Sequence, residues 1–384
     1  MRLRVIAAAI GATLVAFSGS AAAQIKIGML LSTTGPAAAL GVPERNTVAL
    51  MPKKIGGMDI EYIVLDDGTD TTNARRNAEK FVGEHKVDAI IGASTTPNTM
   101  AISEFVAKSQ TPTIALGGSL VITRPMNEVR KWIFATPYND EIVMGAGAKH
   151  MAATGVKTAA VIAFADALGE SNTKEFIKAA EERKIKVVAS EKYNPTDTSV
   201  TAQILKIVAA KPDAVMIIAS GTPAALPHHA LVERNYRGKR YTGHGVVTND
   251  FIRVGGKNVE GILVPAGPAI VAEDLPDNHP AKKVAVDYKT RYEAMYGKGT
   301  FAAFGANAWD ASLVLQDALP RAIATKAKPG TTEFRVALRD AIEATKNLAA
   351  THGIVNMGPN DHNGFSADSA VVLTIDKGRW TVAK

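Results

Sequence analysis

The sequence predicts an α/β protein of two similar lobes, and three observations carry that expectation. Short apolar runs alternate with helical patterns through the first 140 residues, and the alternation starts again at Val156. No low-complexity linker separates the two series, the longest loop-like stretch being "VAEDLPDNHP" at 271–280. Strands alternating with helices of this length form parallel sheets with helices on both faces. In such sheets small ligands bind beyond the carboxyl ends of the strands, at the topological switch point.

The elements follow in order. "IKIGMLL" reads as a buried strand, and Thr34, Gly35 and Pro36 turn it into a helix of small residues. "IEYIVLDD" is the next strand. Asp70, Thr71 and Thr72 are candidate caps for a helix with Ala74, Ala78, Phe81 and Val82 on one face. "VDAII", "TPTIAL" and "KWIFATP" continue the series. The second series reads "TAAVIAF", a helix through Glu175 to Arg183, "KVVASEKY", a helix over 200–210, and "DAVMIIAS". "GILVPAG" follows, then three long helical stretches, the last from Thr332 to about Lys346, and "AVVLTID" as a late strand.

With 384 residues, 46% of them hydrophobic and 21% charged, the chain can bury a large core, and it suits about two domains at ~150 residues each. Arg2 and Arg4, an apolar run over 5–17, and Ala21, Ala22 and Ala23 ahead of Gln24 fit a cleaved signal peptide at 1–23. That run is shorter than the ~20 residues of a membrane span, and no later segment is expected to cross a bilayer. An exported, periplasmic product is expected. The absence of cysteine leaves neither disulfides nor a lipidated terminus to hold it. The net charge of +7 is scattered, with no basic stripe interleaved with aromatics, so nucleic acid is not an expected partner.

Catalytic patterns are weak. G-x-S-x-G, H-E-x-x-H and the P-loop are missing. "GAGAKHMAATG" lacks the third glycine of a dinucleotide loop and lies within a helical pattern. "DDGTDTTN" is faintly like a calcium loop, but the closing glutamate position falls on Asn77, and helix capping explains it better. His228 and His229, adjacent on a helix, point in different directions and read as surface or cleft-edge residues. No catalytic residue, cofactor or metal is expected. What remains are two small hydroxylated loops, each at a strand's carboxyl end: Ser94, Thr95 and Thr96, then Gly117, Gly118 and Ser119.

"IKIGMLLSTTGPAAALG", "LDDGTD", "VDAIIGASTTPNTMA", "TPTIALGGS", "KPDAVMIIASGTPAALPHHALVERNYRG" and "VEGILVPAGP", in that order, resemble the periplasmic solute-binding proteins of branched-chain amino acid (Leu/Ile/Val-binding) type, which serve ABC importers. The resemblance covers essentially all of the mature chain. It implies a type I periplasmic binding fold, in which two Rossmann-like lobes are joined by three crossovers with the ligand in the cleft. Lobe 1 would be 24–140 plus 267–353, and lobe 2 would be 141–266 plus 354–384. A monomer partnered by a membrane permease follows. The two hydroxylated loops occupy the regions that hold the ligand's α-carboxylate in amino-acid-binding members. Backbone N–H groups at a helix N-terminus suit an anion without a buried cation. Thr95 or Thr96 could equally do no more than cap the helix.

The departures from that family pattern matter more. His244 and Gly245 stand where amino-acid binders place a glutamate, Leu168 where they have a tyrosine, and Thr222 near a second tyrosine. Asp140 persists near the first crossover. A buried ammonium without its carboxylate loses several kcal/mol, so the resemblance points to a small carboxylate lacking an amine. Homologous receptors take benzoates, hydroxycinnamates and aryl keto acids, and that class is the expectation. Leu40, Leu168 and Phe304 would form apolar walls, with Tyr138 and His244 as polar candidates, although Phe304 could be helix packing and His244 a surface residue. The alternative is a branched-chain amino acid or amide receptor of the same fold.

Overall fold

The computed structural model describes residues 24–383; the expected signal peptide at 1–23 lies outside them. The first series contains β1 (Ile25–Leu31), α1 (Ala38–Val48), β2 (Lys54–Ile55), β3 (Met58–Asp66), α2 (Thr71–Lys80), β4 (Ala89–Gly92), α3 (Thr96–Lys108), β5 (Thr113–Ala115) and β6 (Ile133–Ala135). The second contains α4 (Asp140–Ala153), β7 (Thr158–Phe164), α5 (Ala167–Glu181), β8 (Lys186–Tyr193), α6 (Thr201–Ala209), β9 (Ala214–Ile218), α7 (Ala225–Glu233), β10 (Lys239–Thr242), α8 (Asn249–Gly255) and β11 (Leu263–Ala266). The chain ends with α9 (Lys282–Tyr296), α10 (Ala303–Ala324), α11 (Thr332–Glu343), β12 (Leu348–Ala349), β13 (Ile354–Val355), β14 (Val371–Asp376) and β15 (Arg379–Val382).

The strands assemble into two main sheets, ordered β2-β3-β1-β4-β5-β6 and β15-β14-β11-β10-β9-β7-β8. β3-β1-β4-β5-β6 and β8-β7-β9-β10-β11 are parallel throughout. Each follows the same doubly wound order, so the lobes are topological repeats, and in each the first strand of the series sits centrally. β1 is buried along nearly its whole length because β3 and β4 flank it and helices cover both faces. The chain passes between the sheets after β6, returns after β11 to lay α10 along α1, and crosses again to reach β14.

Local chemistry accounts for most elements. Asp70 caps α2 by accepting from the Asn73 N–H at 2.8 Å. Ala74, Ala78 and Phe81 are buried as expected, but Val82 is only half-buried, because the helix widens into a π-turn at 81–85. Gly28 makes room for that turn: a Cβ there would lie 2.9 Å from the Phe81 ring. α11 ends at Glu343, short of the expected Lys346.

One expectation needs correction. His228 is not on the surface but fully buried, edge-on to Phe251. Desolvation first, then the nearby charges of Arg240 and His229, hold its imidazole well below the ordinary range. His229 does point elsewhere, its Nδ1 lying 2.6 Å from the Asn258 amide.

Candidate ligand-binding cleft

A cavity of about 230 Å3 opens between the lobes, bounded by loops leaving the carboxyl ends of β1, β4, β5, β7, β9 and β10. That is the position which parallel α/β topology assigns to a ligand. Its size suits a small molecule rather than a larger one.

From lobe 1, the turn after β4 supplies Ser94, Thr95 and Thr96, and the loop after β5 supplies Gly117 and Gly118. Ser94 accepts the Ser32 N–H at 2.9 Å, which fixes its oxygen beside the end of β1. Thr95 is the cap of α3, its hydroxyl accepting the Asn98 N–H at 3.4 Å. The Thr96 hydroxyl oxygen is buried without a hydrogen-bond partner. α3 thus directs its N-terminal end, with the partial positive charge of its free N–H groups, into the cavity wall. Leu40 and Phe304 form an apolar cluster with Ala37 on one side.

From lobe 2 come Leu168, Ile218, Ser220, Gly245 and His244. His244 is lodged against lobe 1: a Cβ on Gly118 would stand 2.8 Å from its Cε1 and Nε2. Glycine at 118 is what permits this approach. Desolvation, with a smaller contribution from His352, holds the His244 imidazole down to about 4, so it is neutral near pH 7 and can both donate and accept.

Four residues expected in the site do not line the cavity. Ser119 is buried beside it, where its oxygen accepts the Asn172 amide at 3.2 Å. The Tyr138 hydroxyl is bonded to the backbone carbonyls of His352 at 2.5 Å and Ser369 at 3.0 Å, so it serves the crossovers instead. Asp140, fully buried at the start of α4, accepts from the Leu120 N–H at 3.1 Å, the Asn172 amide at 2.5 Å and the Ser171 hydroxyl. Thr222 is carried away because the chain turns at Gly221 (φ +65°), and Ser220 lines the cavity in its place.

Several polar residues of the lining escaped the sequence reading, Asp166 and Asn172 among them. Asp166 caps α5, accepting the Gly169 N–H at 3.0 Å, and also lines the cavity. Burial pushes its carboxyl up, against the opposing pull of the Gly169 and Leu168 N–H groups. Asn172 lies four residues after Leu168 on the same face of α5, and that spacing was the available signal. Among the described residues that line the cavity none is lysine or arginine. No group of three or more histidine, cysteine, aspartate or glutamate side chains is placed to hold a metal ion, again among the described residues.

Twin doubly wound lobes meeting at a small cavity are the architecture of a ligand-binding receptor. Residues 24–379 match the periplasmic binding protein family, and the chain belongs to it. An extracellular ligand-binding receptor from Rhodopseudomonas palustris HaA2 shares 42% identity and superposes with a TM-score of 0.91, over 94% of this chain and 100% of that one. The Leu/Ile/Val-binding protein homolog 3 of Brucella melitensis is 24% identical over 99% of both chains. A solute-binding protein of an R. palustris ABC transporter, in complex with benzoate, has the same fold, with a TM-score of 0.78 at 22% identity over 94% of this chain and 95% of that one.

Proposed function

We infer that the protein is the periplasmic receptor of an ABC importer and that it closes over a small aromatic carboxylic acid, of the benzoate, hydroxycinnamate or aryl keto acid class. The observation that carries this reading is the asymmetry of the cavity. One wall offers hydroxyls and the N-terminal end of α3 with no lysine or arginine, while Leu40, Leu168, Ile218 and Phe304 give apolar surface that Asp166, Asn172, Ser220 and His244 interrupt. A carboxylate set against α3 finds donors and partial positive charge together. A planar apolar body fills the remainder. Closing the lobes buries the ligand and gives the permease a closed form to recognise.

Asp166 favours a second reading. A carboxylate in the lobe 2 wall can accept from a ligand's amino group, as a branched-chain amino acid would require, or from a phenolic hydroxyl. A thermal-shift screen separates the two. Aromatic acids are expected to raise the melting temperature, with leucine, isoleucine and valine doing little; a ligand at 100 times its Kd stabilises by about 2.7 kcal/mol. A strong response to leucine that is lost in Asp166→Asn, with none to aromatic acids, would establish the second reading.

A further inference from the structure

Behind the hydroxylated wall lie two acids that no cation answers among the described residues. Glu44, on the buried face of α1, and Asp67, at the end of β3, are both fully buried. Asp67 accepts from the Ser32 hydroxyl at 2.7 Å and the Thr69 N–H at 2.9 Å. Glu44 has one partner, Ser94, which meets its Oε2; its Oε1 has none. The groups facing Glu44 from neighbouring elements are Ser94 after β4 and Asp67 after β3. α10, packed along α1, has its Asp310 engaged by Thr351 and His352, and Tyr288 of α9 is bonded to Thr47. Arg45, the next residue on α1, is exposed on another face.

A proton count at the Ser94 oxygen decides what this arrangement does. A serine hydroxyl has one proton to give and two lone pairs. One lone pair is taken by the Ser32 N–H. If Glu44 were a carboxylate, it could only accept. Ser94 would then spend its single proton on Glu44 and turn a bare lone pair toward the cavity, which repels a carboxylate ligand. If Glu44 is a carboxylic acid, its O–H donates to the second lone pair and the serine proton is free to point into the cavity.

We propose that Glu44 is held as the neutral acid and acts as a specificity-determining residue, donating to Ser94 so that the Ser94 hydroxyl becomes a donor to the ligand's carboxylate; this rests on the carboxylate-receptor reading above. Two buried carboxyls without a cation do not both ionise. Burial, reinforced by Asp67 and only partly opposed by the bond to Ser94, pushes the Glu44 carboxyl well above its ordinary range. The consequence is a linkage of ligand affinity to pH. Affinity is full while Glu44 carries its proton and falls as rising pH removes it.

The test uses the full mature protein, benzoate as the probe, and Glu44→Gln, whose amide N–H₂ imitates the donating acid without titrating. Titration calorimetry across a pH series should show wild-type affinity falling on the alkaline side, while Glu44→Gln keeps the wild-type low-pH affinity with a flat profile. Ser94→Ala should lose about tenfold or more at low pH and lose the slope as well. Independently of any ligand, the infrared difference spectrum of unliganded wild type minus Glu44→Gln at neutral pH should show the C=O band of a protonated carboxyl, the contribution of Asp140 being common to both proteins and cancelling. Failure of wild type to bind benzoate counts against the carboxylate reading, and the infrared band still decides the state of Glu44. Absence of that band, or a tenfold loss in Glu44→Gln with an unchanged pH profile, overturns the proposal.

Discussion

Thr96 places a hydroxyl in the cleft wall with no partner among the described residues. A buried hydroxyl without a partner costs about 1–3 kcal/mol, so its removal should not harm the empty receptor. Thr96→Val keeps the side chain's shape and is expected to leave the unliganded melting temperature level or raised, while an aromatic acid binds about ten- to a hundredfold more weakly, read by calorimetry. Equal affinities would remove Thr96 from the site. The hydroxyls at 94–96 were legible in the sequence because a strand, a glycine and a helix start are all local signals. Their division of labour was not: Thr95 is occupied in capping α3, and only the fold shows Ser94 leaning on Glu44. Asp166 escaped because its capping role is local, whereas its place in the cavity depends on the other lobe.

α4 begins with Asp140, which ties the loop after Ser119 to α5 through the Leu120 N–H, Ser171 and Asn172. Desolvation pushes its carboxyl up to about 7, Ser171 and the Leu120 N–H opposing and Glu175 adding. Aspartates in the unfolded chain titrate near ~3.9. Between those values the folded protein holds a proton that the unfolded chain has released. This contribution to stability is therefore complete below about pH 4 and is lost as the pH rises through about 7. Urea unfolding over that range should show a decline in wild type that is flatter in Asp140→Asn; identical slopes would mean that Asp140 ionises as an ordinary surface aspartate. Two other elements show where local reading stops. β10 starts with Lys239 and Arg240 and reads as polar, yet it lies between β9 and β11, with the Arg240 guanidinium bonded to the carbonyls of Asn258 and Glu260. Tertiary context outweighed propensity there. β15 is different: Lys377 (φ +51°) and Gly378 (φ +72°) make a two-residue hairpin turn, which the sequence does signal in "DKG".

For the whole molecule, the fold was legible because the alternation of strands and helices recurs twice, and the sheet orders repeat accordingly. The closed cleft was not legible, since contacts such as that of His244 with Gly118 join residues far apart in sequence. Gly118→Ala tests closure: its Cβ would meet the His244 ring and the Tyr138 carbonyl oxygen, each at 2.8 Å. It should hold the lobes apart, so that small-angle scattering shows no compaction on adding a ligand that compacts wild type, and binding should weaken about tenfold or more. Full compaction in Gly118→Ala would show that closure does not need this approach. The central claim is that the cleft holds a small carboxylic acid, aromatic and without an amine. Native mass spectrometry of the receptor purified from its own cells, with the released ligand then identified, tests it most directly. An aromatic acid in one-to-one complex is the expected result; a branched-chain amino acid in that place would contradict it.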